Sequence, residues 1–219
     1  MAMGLQTTNT RDALVTEVRR RILSGELEPG TPLTEQGLAT TFGVARPTVR
    51  SALQELVARH LVQRSDGRSL RVPVLTDDDV RDLFNVRQAL EITAARQIVA
   101  QRRPLDAAEA ALRVLEALPE TAGWSERVEA HTAFHIALVE AAGSTRLSRI
   151  YPPLQEEMQL CLARLRGAYP DPRKLAIEHR ELLDAYASGN WASAEGEMRD
   201  HLRRAREGLL SPVPEPLPH

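Results

Sequence analysis

Apolar residues recur at helical spacing from the start of the chain. Leu14, Val18 and Ile22 fall on one face, with Thr10 ahead of them as a cap and Gly25 behind. This predicts a first helix over about 11–24, ended before Glu28-Pro29-Gly30. Thr34 heads a short second helix carrying Leu38, Ala39 and Phe42, and Gly43 supplies a tight turn before Val44. A third helix starts near Arg46, tolerates Pro47 in its first turn and faces Val49, Leu53, Leu56 and Val57 inward. The period then drops to two: Leu61-Val62-Gln63-Arg64 and Ser69-Leu70-Arg71-Val72 alternate about Asp66-Gly67, a dipeptide that favours a hairpin. Two helices joined by a glycine turn, followed by a hairpin, predict a winged helix-turn-helix domain over 10–75.

From Thr76 the period is helical throughout. Thr76 caps an acidic first turn, Asp77-Asp78-Asp79, which suits the positive end of a helix. Helices are predicted at about 77–101, 105–118, 124–142, 145–167, 173–188 and 191–209, and Pro152-Pro153 should kink the fourth rather than end it. Six helices without a strand predict an antiparallel bundle over 76–210, so the whole chain reads as mostly α. Residues 1–9 and the Pro-rich 211–219 are expected to be disordered tails.

Composition adds a location and a partner. Cys161 is the only cysteine and no run approaches the ~18 apolar residues of a membrane span, so a soluble, reduced, cytoplasmic protein is expected. The net charge of −2 is unevenly spread: residues 1–75 hold ten arginines against seven acidic residues, a surplus of +3. Six of those arginines (Arg46, Arg50, Arg59, Arg64, Arg68 and Arg71) lie in the third helix and hairpin. They form a candidate phosphate-binding face, since cations that displace counterions supply much of the affinity for DNA.

The stretches Gly25-Glu26-Leu27-Glu28-Pro29-Gly30, Leu38-Ala39 and Gly43-Val44-Ala45-Arg46-Pro47-Thr48-Val49-Arg50-Ser51-Ala52-Leu53 resemble the GntR family winged helix. The resemblance implies that Arg46, Thr48, Arg50 and Gly67 contact an operator. An Arg fork near the start of a groove-bound helix can hold guanine O6 and N7, while Arg68 at the wing suits phosphate or the minor groove. Ala45 stands where that family usually has Ser or Thr, and Gln36 where its fatty-acid-responsive members carry arginine.

In the second half, His131 and His135 share a stripe with Phe134 and Leu138; His179 lies with Leu175, Leu182 and Tyr186; His201 lies with Met198, Leu202 and Ala205. All four should point inward. Buried imidazoles need partners, and a shared divalent ion, zinc, nickel or similar, is an economical one. Arg87 sits on the apolar stripe of Val80, Phe84, Leu90 and Ala94, where it serves either a ligand carboxylate or an ion pair with Glu91 one turn on.

Phe84-Asn85-Val86-Arg87-Gln88-Ala89-Leu90-Glu91, Phe134-His135 through Ala141-Ala142-Gly143, Glu178-His179 and His201-Leu202 are similar to the effector domain of the FadR-type branch of that family. The resemblance implies a divalent metal on an Asp and three His, and a small organic acid received near it. His131 takes the usual Asp position, Ser144 replaces a common Asn, and Arg146 is a second candidate for the acid. The expected protein is therefore a homodimeric regulator, a repressor by preference, on a palindromic operator. A metalloenzyme is the alternative, but in His131-Thr132-Ala133-Phe134-His135 a threonine stands where a zinc peptidase needs its general-base Glu. A nonspecific architectural DNA binder is disfavoured by the acidic second half.

Overall fold

The computed structural model describes residues 10–65, 69–162 and 172–210, in two compact units, 1–74 and 75–219. The first unit holds α1 (Thr10–Leu23), β1 (Pro32–Leu33), α2 (Glu35–Phe42), α3 (Arg46–Ala58), β2 (Gln63–Arg64) and β3 (Leu70–Arg71). Its core lies between α1 and α3, where Val18, Val49, Ala52, Leu53 and Leu56 are buried; Val57, expected there too, is only half-buried. Arg11 of α1 pairs with Glu55 of α3 across this contact. Thr34 caps α2, its Oγ1 accepting the Gly37 N–H at 3.0 Å. Gly43 ends it in the left-handed region (φ 64°), the conformation that turns the chain sharply into α3 and that glycine adopts without strain.

The hairpin forms as its alternation implied, with Gln63 opposite Arg71 and Arg64 opposite Leu70. The sheet has a strand that the pattern did not announce: β1 adds antiparallel to β3, Leu33 opposite Leu70, giving the order β1-β3-β2. Asp66, Gly67 and Arg68, the expected turn and wing tip, lie outside the described residues, as do both expected tails.

The second unit is an antiparallel bundle of α4 (Asp77–Gln101), α5 (Asp106–Glu116), α6 (Trp124–Glu140), α7 (Leu147–Leu162), α8 (Pro172–Ala187) and α9 (Trp191–Leu210). Thr76 and Asp79 cap α4 reciprocally, through Asp79 N–H to Thr76 Oγ1 at 3.2 Å and Thr76 N–H to Asp79 Oδ2 at 2.8 Å. α4 is the central helix, packed against α6, α7, α8 and α9. Around it Phe134, Leu138, Tyr151, Met158, Leu182 and Met198 are almost wholly buried. α7 is described only to Leu162, short of the expected 167, and it runs through Pro152 and Pro153 without ending. Gly143 (φ 69°) turns the chain after α6 beneath the Arg103 guanidinium, which lies 3.1 Å from where a β-carbon would stand.

Candidate functional site

In the first unit, α3 presents Arg46, Arg50 and Gln54 on successive turns of its exposed face, with the Arg46 and Arg50 side chains 60% and 58% exposed. Thr48 beside them is half-buried. Ala45 gives the first turn of α3 no side-chain acceptor, so an external anion such as a phosphate can take that place. Glu35, at the start of α2, reaches across the turn: Arg50 Nε and Nη2 donate to its two carboxylate oxygens at 2.7 and 2.9 Å, and Arg46 Nη2 stands 3.9 Å away. The Arg50 fork holds the Glu35 carboxyl below its usual range. A groove of about 380 Å³ lies alongside, bounded by Leu33, Glu35, Arg50, Gln54, Arg64 and Ser69.

In the second unit three helices bring four imidazoles together: His131 and His135 from α6, His179 from α8 and His201 from α9. None is more than 4% exposed, and one nitrogen from each falls within a 4.8 Å compass. An ion with bonds of about 2.1 Å spans about 4.2 Å between opposite ligands, a comparable width. His135 Nε2 and His179 Nε2 face one another at 3.0 Å. Burial drives all four rings below the ordinary histidine range, that of His179 to about 4, and the nearby Arg87 guanidinium pushes each the same way. They are therefore neutral near pH 7, the form that offers a lone pair to a metal. His131 Nδ1 and both nitrogens of His201 are buried without a hydrogen-bond partner. Four neutral imidazoles with unused lone pairs are a donor set that suits a divalent transition ion.

A second ring of polar groups backs the cluster. Glu91 of α4 places Oε2 at 3.2 Å from His135 Nδ1, accepts the Tyr151 hydroxyl at 2.5 Å on Oε1, and pairs with Arg87 Nε. Gln155 donates to the Tyr151 hydroxyl. Burial alone would lower the Arg87 guanidinium, but the Glu91 carboxylate and Tyr151 outweigh it and hold it raised. Arg87 is 0% exposed, yet its Nη1 and Nη2 have no acceptor in hydrogen-bonding geometry, and Gln155 Oε1, Thr132 Oγ1 and Tyr186 OH are likewise unpartnered. So many orphaned polar atoms in one buried core are unusual if it serves only packing. The space beside His131, His179 and His201 is about 10 Å³, walled by Trp124, Val128, Leu162, Leu175 and Ala205, and has room for about one water or ion.

The two units match two known domain families. Residues 10–72 fit the family described as bacterial regulatory proteins, gntR family, and residues 82–204 fit the FCD domain. The chain belongs to the GntR family. This GntR protein is 28% identical over 212 residues to the HTH-type transcriptional regulator LutR of Bacillus subtilis, covering 86% of this chain and 95% of that one. It is 30% identical over 200 residues to a protein of Paenarthrobacter nicotinovorans named "Probable D-xylose utilization operon transcriptional repressor", covering 88% and 87%. The crystal structure named as a putative transcriptional regulator GntR from Rhodococcus sp. RHA1 superposes with a TM-score of 0.79 at 25% identity, covering 93% of this chain and 98% of that chain. The protein is thus a DNA-binding transcriptional regulator with an FCD effector-binding domain and not an enzyme. Among the described residues, no helix is long and apolar enough to cross a membrane.

Within this GntR regulator, the structure gathers the four sequence-predicted histidines into one cluster and sets Arg87 beside it. Of the two roles weighed for Arg87, the ion pair with Glu91 forms through Nε, and its other two nitrogens remain unpartnered. Arg146 is exposed just ahead of α7. Glu35 was missed, although an acidic residue one position after the Thr34 cap was in view. Glu91, Tyr151, Gln155 and Tyr186 were also missed as members of a polar centre, because each lies on an apolar stripe that reads as core.

Proposed function

We propose that this protein is a repressor whose hold on its operator is controlled by a small organic acid bound beside a divalent metal in the FCD unit. The reading is carried by the buried quartet of neutral imidazoles next to an arginine with two unpartnered nitrogens. His131, His135, His179 and His201 would hold the ion, zinc or nickel being the candidates that nitrogen ligands favour. When bound, the ion supplies a Lewis-acid contact for a carboxylate oxygen. Arg87 Nη1 and Nη2 form the fork for the same acid. An organic acid is larger than the 10 Å³ beside the rings, so it selects a conformation in which the apolar wall around Trp124 and Leu162 is open. That differential affinity is what an effector needs to shift a regulator between states.

At the other end of the function, Arg46 and Arg50 read base edges while Thr48, Gly67 and Arg68 hold the backbone. Residues 10–75 act as the DNA-binding domain and 76–210 as the effector and dimerisation domain of a cytoplasmic homodimer on a palindromic operator. The repressor sense is supported by the name of the Paenarthrobacter relative. Elemental analysis of protein purified without chelator or affinity tag tests the metal, with about one ion per chain expected. Gel shifts with DNA flanking its own gene, in excess unrelated duplex and with a panel of small carboxylic acids, test the rest. A metal-free protein would remove the effector half of the proposal, and binding no better than to unrelated duplex would remove the operator half.

A further inference from the structure

The hydrogen bonds behind the histidine cluster determine which nitrogen of each ring is free. A neutral imidazole carries one N–H and one lone pair, and the partner of one nitrogen decides the state of the other. His179 Nδ1 lies 2.6 Å from the Leu175 carbonyl oxygen, which only accepts, so the proton sits on Nδ1 and Nε2 is a lone pair. His135 Nδ1 faces the Glu91 carboxylate at 3.2 Å, also an acceptor, so its Nε2 is a lone pair as well. Those two lone pairs meet at 3.0 Å, an arrangement that repels unless a cation lies between them.

We propose that Glu91 is the positioning residue of the histidine centre: its carboxylate takes the Nδ1 proton of His135 and so presents Nε2 as the ligand atom. The proposal rests on the metal reading above. Two donors, one from its own helix and one from α7, keep Glu91 in this role. Arg87 and the Tyr151 hydroxyl both donate to Oε1, and Gln155 of α7 in turn donates to Tyr151. Oε1 is thereby occupied from two sides, which leaves Oε2 for the imidazole. Glu91, Arg87, Tyr151 and Gln155 are each at most 1% exposed. If Glu91 served only as the counter-ion of Arg87, its second oxygen would have no reason to face a ring whose far nitrogen points into the cluster. Among the four rings, Glu91 and the Leu175 carbonyl orient two; His131 Nδ1 and both nitrogens of His201 are without such a partner.

Glu91→Gln separates the two roles. In the variant, Arg87 and Tyr151 claim the amide oxygen, the amide NH₂ turns to His135 Nδ1, and the proton is driven to Nε2, the wrong nitrogen for a ligand. Loss of such an outer partner weakens metal binding by about 10- to 100-fold. The experiment titrates chelator-stripped wild type and variant with Ni²⁺ and Zn²⁺ against a competing dye, and records histidine side-chain ¹H–¹⁵N correlation spectra of both without metal. The expected result is that drop in affinity with an Nδ1–H to Nε2–H switch confined to His135. Unchanged affinity and tautomer in a folded variant would overturn the proposal. Should Glu91→Gln fail to fold, Tyr151→Phe, which removes one of the two donors to Oε1 but keeps the charge, is expected to weaken metal severalfold, and equal affinity there overturns the proposal too. If wild type binds neither metal, the metal reading itself fails, a result distinct from a wild type that binds and a variant that binds equally.

Discussion

The Glu35 carboxylate takes one hydrogen from each of Arg50 Nε and Nη2, which leaves three of the five guanidinium hydrogens, on Nη1 and Nη2, for a guanine. Glu35 sets a negative charge beside the two arginines proposed to meet DNA, and Arg50 and Glu35 should respond oppositely to mutation. If Arg50 reads a guanine as proposed, Arg50→Ala loses a bidentate base contact and is expected to weaken operator binding by roughly 5- to 150-fold, read by fluorescence anisotropy. Glu35→Gln removes a charge that phosphates repel. It is expected to raise affinity for unrelated duplex by no more than about fivefold, since an exposed pair gains little in water. A Glu35→Gln protein that binds unrelated duplex more weakly than wild type would show instead that the fork pre-positions Arg50. At this scale the sequence was half legible. Arg46 and Arg50 announce themselves one turn apart on a helix, whereas Glu35 lies fifteen residues from Arg50 and meets it only because the Gly43 turn folds α2 back.

The elements were legible wherever a period ran long enough to be read. The inward stripe of α3 places Leu53 and Leu56 at 1% and 0% exposure, and Leu56→Ala is expected to cost about 2–5 kcal/mol in urea unfolding, the range for a core cavity. A loss below about 1 kcal/mol would mean that α1 collapses into the space. β1 went unread because two residues, Pro32 and Leu33, carry no period of their own; they become a strand only by pairing with β3, 38 residues on. The histidines show the same division. Spacing puts each imidazole on the inner face of its helix, but convergence within 4.8 Å is decided by how α6, α8 and α9 pack around α4, which no local pattern records. Arg146 is the converse case: it precedes α7, so no helical stripe commits its side chain to the interior, and it is exposed.

For the whole molecule, four neutral buried imidazoles tie stability to pH with a definite sign. In the unfolded chain each histidine titrates near about 6.5; in the folded one burial pushes all four well below that, His179 to about 4. Between those values the unfolded chain binds more protons than the folded one, so stability falls as pH falls. Above about pH 7 the histidine contribution is flat, and below 6.5 each ring that stays neutral costs about 1.4 kcal/mol per pH unit. A divalent ion on the same lone pairs would bind the folded state alone and add about 2.7 kcal/mol at a hundredfold excess over its Kd. Protons compete for those lone pairs, so this gain shrinks over the same acid range. Thermal melts from pH 4.5 to 8, in chelator and in excess Ni²⁺ or Zn²⁺, should therefore give two curves that separate at pH 7.5 and converge toward pH 5. The chelator curve should be level above 7 and decline below 6.5. Curves that coincide at every pH would mean that the quartet holds no ion, and a chelator Tm that rises on acidification would mean that the rings are not buried neutral.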